Sequence, residues 1–188
     1  MSTGGGWQDQ AGGIVPGIKM LSTRPGLIQT IYCEKCLIAE ETLKELNHRF
    51  ALIYTGQRRL ARNLLRDVVG RYICNDPDSI EAHENIQRLA VLMCYELEKG
   101  NVDGFAKLLT KHWQESQRID ADSTNTCIDH IFLAIDDLIE GKMICGAGGG
   151  GFLQVVLKRG VSKEALRERL KEVFQDSGVD IWDCEIIH

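Results

Sequence analysis

Near the start of the chain, Thr3-Gly-Gly-Gly-Trp-Gln-Asp9-Gln10 places one carboxylate directly after three glycines. Far downstream, Cys145-Gly-Ala-Gly-Gly-Gly-Gly-Phe152 forms a loop with five glycines. Glycine takes positive φ freely and lets backbone approach a ligand closely. Successive N–H groups in such a loop form a concavity suited to anions, phosphate above all. A carboxylate that receives or orients a hydroxyl proton, together with an anion-binding loop, is a minimal set for phosphoryl transfer to a hydroxyl. Asp9 would serve equally well as a turn or helix cap. A tight hairpin would need one or two glycines rather than five. These 188 residues contain no second candidate loop for nucleotide phosphates.

Composition narrows the classes of partner. The chain is 44% hydrophobic and 26% charged, ordinary for a globular protein, and its net charge is −5 with no basic block. Nucleic acid is therefore not an expected partner. No apolar run reaches the roughly 18–20 residues of a membrane span, so no membrane partner is expected either. The N-terminus lacks the cationic start and apolar stretch of a secretory leader. The seven scattered cysteines fit reduced thiols and a cytoplasmic protein better than a disulfide framework. Cys33-Glu-Lys-Cys36 lacks the second Cys or His pair that a zinc site would require.

Two β-rich stretches, 13–20 and 27–33, flank a turn at Pro25-Gly26. A short polar helix or loop fills 37–48, and Phe50–Thr55 reads as a buried strand ended by Gly56. Four helical stripes follow: Leu60 to Tyr72; Ile86 to Leu97, capped by Asp78 or Ser79; Phe105 to Trp113; and Ile128 to Ile139, closed by Gly141. Strands are expected at 142–145 and 152–157, on either side of the glycine loop. A helix capped by Ser162 and a final strand over 179–187 complete the chain. From residue 50 the order is α+β and, without the extra helices, the ferredoxin-like split β-α-β-β-α-β unit. Residues 49–188 are expected to form this domain, and residues 1–48 to be the remnant of another lobe. Its two uncovered strands would favour self-association or docking.

In three segments the chain resembles the GHMP small-molecule kinases, and among them the L-fucokinases. The Thr3–Gln10 stretch followed by Gly12-Gly13 is similar to the catalytic-aspartate segment of that superfamily. Tyr54-Thr-Gly56 with Arg59-Leu-Ala-Arg62-Asn63-Leu64-Leu65 is similar to the opening of its C-terminal lobe. Cys145–Phe152 is similar to its third, glycine-rich signature. The Gly-Trp-Gln-Asp-Gln wording is shared with heptose-phosphate kinases. The resemblance implies ATP-dependent phosphorylation, with Mg²⁺, of the anomeric hydroxyl of a small sugar in a nucleotide-sugar salvage route. It implies Asp9 as the catalytic carboxylate and Gly5, Gly6, Trp7 and Arg59 as substrate contacts. Gly146, Ala147, Gly148, Gly149, Gly150 and Gly151 would lie beside the transferred phosphate. Arg59 is equally readable as a solvated helix charge, and Trp113 as a core aromatic or a sugar platform. The superfamily's second signature, a Pro-x-x-x-Gly-Leu-Gly-Ser-Ser loop that holds the ATP phosphates, belongs upstream of the Asp9 segment, where only Met1-Ser2 stand. The expectation is the C-terminal part of a longer kinase, inactive alone; the alternatives are a heptose-phosphate kinase of the same superfamily and a non-catalytic regulatory or binding module that keeps the fold.

Overall fold

The computed structural model describes residues 7–57, 62–146 and 148–187. The N-terminal arm begins with α1, Gln8–Ile14, whose last two residues take up the start of the strand expected over 13–20. Lys19 ends this helix. Its Nζ donates to the carbonyls of Gly12 (3.0 Å), Gly17 (3.1 Å) and Val15, placing a cation over the carbonyl end of the helix. The strands lie further along than expected: β1 at Lys19–Thr23 and β2 at Ile31–Lys35, paired antiparallel from Lys19↔Lys35 to Thr23↔Ile31. The hairpin connection is thus longer than the Pro25-Gly26 turn alone. All five residues of β2 are exposed.

After the arm, α2 (Glu40–Arg49) runs directly into β3 (Phe50–Thr55). Then come α3 (Arg62–Ile73), α4 (Pro77–Glu98) and α5 (Val102–Ile119). A 3₁₀ turn at Ala121–Ser123 leads to α6 (Thr126–Ala134). The chain closes with β4 (Ile139–Ile144), β5 (Phe152–Leu157), α7 (Lys163–Phe174) and β6 (Val179–Trp182). Strand, four helices, two strands, helix, strand is the order expected from residue 50 onward. The sheet runs β4-β5-β3-β6 with every neighbouring pair antiparallel.

Capping explains several boundaries. The α4 cap is Asp76, whose Oδ1 accepts from Ser79 N at 2.9 Å, and Pro77 takes the first helical position. Neither Asp78 nor Ser79, the expected caps, fills that role. Ser162 caps α7 as expected, accepting from Ala165 N at 3.1 Å. The fourth helical stripe ends early: α6 stops at Ala134, and Ile139 already belongs to β4. Gly141 is therefore no helix stop. It sits within β4, where a Cβ would come within 2.2 Å of the Ala106 carbonyl oxygen on α5. Glycine is needed here because helix and edge strand touch backbone to backbone. Lys142 N alongside donates to Thr110 Oγ1 at 3.1 Å.

Two cores lie on opposite faces of the four-stranded sheet. On one, Ile53, Leu153, Val155 and Ile181 pack with Ile131 and Ile135 near α6 and with Leu166 and Leu170 of α7. On the other, Val156 meets Leu46 of α2, Leu97 of α4 and Val102 and Leu109 of α5. Buried Arg49 secures this side. Its Nε donates to Leu157 O at 2.8 Å, and its guanidinium pairs with Glu45 and Asp103 at 2.6 Å each. Cys36 and Cys94 form a disulfide with Cα atoms 6.0 Å apart, so the reading of all cysteines as free thiols does not hold for this pair. Cys33, Cys74, Cys127, Cys145 and Cys184 are free.

Candidate active site

The glycine loop joins β4 to β5 at one end of the sheet. Cys145 N donates to Phe152 O at 2.8 Å, which closes the hairpin. Gly146, Gly148, Gly149 and Gly151 have φ of +72°, +95°, +75° and +85°, a region that side chains rarely enter. The loop is tied down at several points. Thr55, at the end of β3, gives both its N–H (2.9 Å) and its hydroxyl (3.1 Å) to Gly151 O. Gly151 N donates to Gln57 O at 2.9 Å, and Gly149 N to Ser123 O at 2.6 Å. Asn125 caps α6 through Oδ1, which accepts from Ile128 N at 3.0 Å, and its Nδ2 donates to Gly149 O at 3.0 Å. One side chain thus fixes the N-terminus of α6 against the loop, and that end of a helix favours an anion.

The glycines serve two different needs. At Gly148 a Cβ would lie 2.4 Å from the Ser123 carbonyl oxygen, so this position is closed by packing against the 3₁₀ turn. At Gly146 and Gly151 a Cβ would meet nothing within 4 Å. Those positions open outward and are the ones with room for a ligand. The N–H groups of Gly149 and Gly151 are already engaged by protein carbonyls, so the loop is a pre-set floor more than a ring of free donors. Cys145, just before the loop, is no nucleophile at neutral pH. Burial, reinforced by Cys184, pushes its thiol up to about 11.

Asp9 occupies the second position of α1, and its side chain lies outside the described residues, as do Gly5, Gly6, Arg59 and Ala147. Trp7 stands at the N-cap without a side-chain capping bond. It lines an apolar cleft of about 700 Å³ with Ile14, Leu21 and Ile31, all within the arm. Trp113 is buried beside Phe132, with ring centroids 6.4 Å apart. Sequence reasoning did not single out Thr55, Ser123 and Asn125, three of the residues that hold the loop. Asn125 was readable as a helix cap before the Ile128 stripe, and nothing in the spacing announced the other two. Cys36, Cys94 and Glu98 lie close together where the arm meets α4, but the two sulfurs are joined in the disulfide and leave no thiolate to hold a metal.

No family model matches the chain. It is 35% identical over 172 residues to the bifunctional fucokinase/GDP-fucose pyrophosphorylase of Arabidopsis thaliana, and 30% identical over 172 residues to the L-fucokinase/L-fucose-1-P guanylyltransferase of Bacteroides fragilis. Each alignment covers 92% of this chain but only 16% and 18% of the relative, so the chain spans about a sixth of their length. Among solved structures, mevalonate kinase of L. major superimposes with a TM-score of 0.71 at 14% identity, over 88% of this chain and 48% of that one. The D-glycero-D-manno-heptose 1-phosphate kinase of Bacteroides thetaiotaomicron gives 0.58 at 17% identity, over 96% and 47%. The chain therefore carries the fold of the GHMP small-molecule kinases and is similar, over nearly its whole length, to one segment of the bifunctional fucokinases.

Proposed function

We propose that this chain is a portion of an ATP-dependent sugar kinase that phosphorylates the anomeric hydroxyl of L-fucose. The observation that carries this reading is the 35% identity to a fucokinase across 92% of the chain. The glycine loop is consistent with it. Gly146 and Gly151 have open space where a side chain would stand, so they would lie along the transferred phosphate. ATP would supply that phosphate, and Mg²⁺ would accompany it. The described residues present no carboxylate cluster at the loop to hold the ion. Asp9 would take or orient the proton of the attacking hydroxyl. Gly5, Gly6, Trp7 and Arg59 would contact the sugar. A heptose-phosphate kinase is the second reading, favoured by the Gly-Trp-Gln-Asp-Gln wording and the structural match over 96% of the chain. Taken by itself, residues 1–188 would not turn over, because the 188 residues hold no second glycine-rich loop for the nucleotide.

The test is a hybrid in which this chain replaces the matching segment of the Arabidopsis thaliana fucokinase. Coupled ADP release is measured with L-fucose, galactose and heptose 7-phosphate. The expected result is turnover of L-fucose, with Asp9→Asn lowering kcat by about 10²–10⁴-fold. A kcat within about threefold of the parent hybrid would remove Asp9 from the mechanism. Preference for heptose 7-phosphate would favour the second reading.

A further inference from the structure

Within α4, Leu89-Ala-Val-Leu-Met-Cys-Tyr95 is an unbroken apolar run, about two full turns with no polar side. A surface helix needs an apolar stripe on one face only, and a helix that is apolar all round is a covered one. The inward side of the run is accounted for: Met93 packs on the second core and Cys94 bonds Cys36. The outward side is not. Val91, Leu92 and Tyr95 are 60%, 47% and 56% exposed. Leu37, whose N donates to Glu98 Oε1 at 2.8 Å, adds another exposed apolar side chain beside α4. An exposed apolar surface of this kind marks a contact site. Helical spacing extends the same outward face to Glu84 and Arg88 on one side of the apolar centre and to Lys99 on the other. Arg88 pairs with Glu84 at 3.2 Å, and Lys99 Nζ lies 3.0 Å from Glu96 Oε1.

We propose that this face of α4 is the contact between two copies of the chain, with the helices antiparallel. About a two-fold axis between Val91 and Leu92, each Val91 meets Leu92 of the second copy. Arg88 then falls beside the Tyr95 ring of the second copy, where a guanidinium is attracted to the aromatic face. Glu84 falls opposite Lys99 of the second copy. The stripe is thus complementary to itself, as a two-fold contact requires. A parallel pair in register would instead set Glu84 on Glu84, Arg88 on Arg88 and Lys99 on Lys99, each a repulsion. The charges stay at the rim and fix the direction, whereas Val91, Leu92 and Tyr95 supply the burial. The stretch from Glu84 to Lys99 is about 22 Å long at about 1.5 Å per residue. One pair of helices of that length lies below the roughly 1,200 Å² of a standard interface, so the dimer is weak and concentration-dependent. It draws nothing from the kinase reading.

Analytical sedimentation of residues 1–188 from about 5 to about 500 μM gives the readout. The expected result is a monomer–dimer equilibrium with a Kd on the order of tens of micromolar. Val91→Glu should weaken it at least about tenfold. Helical circular dichroism and melting temperature should be kept in that variant, because the position is exposed in the single chain. A charge exchange tests the direction. Glu84→Lys alone and Lys99→Glu alone should each weaken association about fivefold, and the two together should restore it to within about twofold of the parent. A chain that stays monomeric at the highest of these concentrations overturns the proposal and leaves the face to a different partner. Dimerisation untouched by Val91→Glu also overturns it and places the contact elsewhere, as on the exposed strand β2. Failure of the double exchange to restore association overturns the antiparallel pairing.

Discussion

The glycine-loop end of the sheet and the N-terminal arm are both glycine-rich, yet they are held in opposite ways. The loop is locked by five positive-φ glycines, by backbone bonds to Thr55, Gln57 and Ser123, and by side-chain bonds from Thr55 and Asn125, and the strands it joins are largely buried. The arm is a short helix and a hairpin whose second strand is exposed throughout, with Leu27 and Ile28 out in solvent. It is fastened at its C-terminal end. Cys36 bonds Cys94 and Ile18 O, Leu37 N donates to Glu98 Oε1 at 2.8 Å, and Ile18 and Ile38 pack on the second core. Glycine content therefore says little about rigidity. What matters is whether each glycine's neighbours close around it.

The largest expected effect falls inside the loop. Gly148→Val adds a branched side chain where even a Cβ lies 2.4 Å from the Ser123 carbonyl. It should cost more than about 3 kcal/mol, combining positive-φ strain with displacement of the 3₁₀ turn. Gly151→Ala meets open space and should cost only about 1 kcal/mol of backbone strain. Urea denaturation of both variants checks the contrast, and equal losses would mean that packing does not distinguish the two glycines.

The arm should break first under protease. Trypsin is expected to cut at Arg24 and Lys35 before any site beyond Glu40, because α2 buries Leu46 in the second core. Cys94→Ser should speed these early cuts about tenfold, equivalent to about 1.4 kcal/mol of lost local stability. Mass spectrometry of the first fragments decides this. Early cleavage within α4 or α5 would mean that the arm and the body open together.

The smallest effect is a pH dependence of the body. Burial holds the His112 imidazole below its ordinary value, opposed by its own backbone hydrogen bond. The unfolded chain then binds a proton near pH 6.5 that the folded chain refuses, so stability is full above that pH and declines below it. The loss should be at most about 1.4 kcal/mol by pH 5.5. Melting curves from pH 7.5 to 5.5 should flatten in His112→Gln. An unchanged slope in that variant would assign the dependence to other groups.

These contrasts also show where sequence was readable. Phe50–Thr55 and Phe152–Leu157 are short β-branched or aromatic runs bounded by glycine, and both strands start and end at the expected residues. The Ile128 stripe was misleading because Ile139 continues the helical spacing across the change from α6 to β4. Gly141 pairs with Val156 inside β4, and the close approach of Ala106, which the spacing does not reveal, is what requires glycine there. The arm misled in the other direction: Gly12 and Gly13 argue against a helix, yet Lys19 closes one by capping its carbonyls. The cavity of about 240 Å³ beside the glycine loop was invisible, since His83, Trp113, Ser123 and Ile144 come from separate elements with no shared spacing.

Tyr54, Phe152 and Trp182 stand on neighbouring strands β3, β5 and β6, with ring centroids 5.0–5.8 Å apart and planes inclined by 48–79°. Aromatic chromophores fixed at such angles in chiral surroundings give a near-ultraviolet circular dichroism band. Phe152 directly follows the last glycine of the loop, and Tyr54 directly precedes Thr55, which clamps it. The band is thus an optical gauge of the loop's footing. Loosening of the loop dims it while the helices, and hence the far-ultraviolet signal, stay intact.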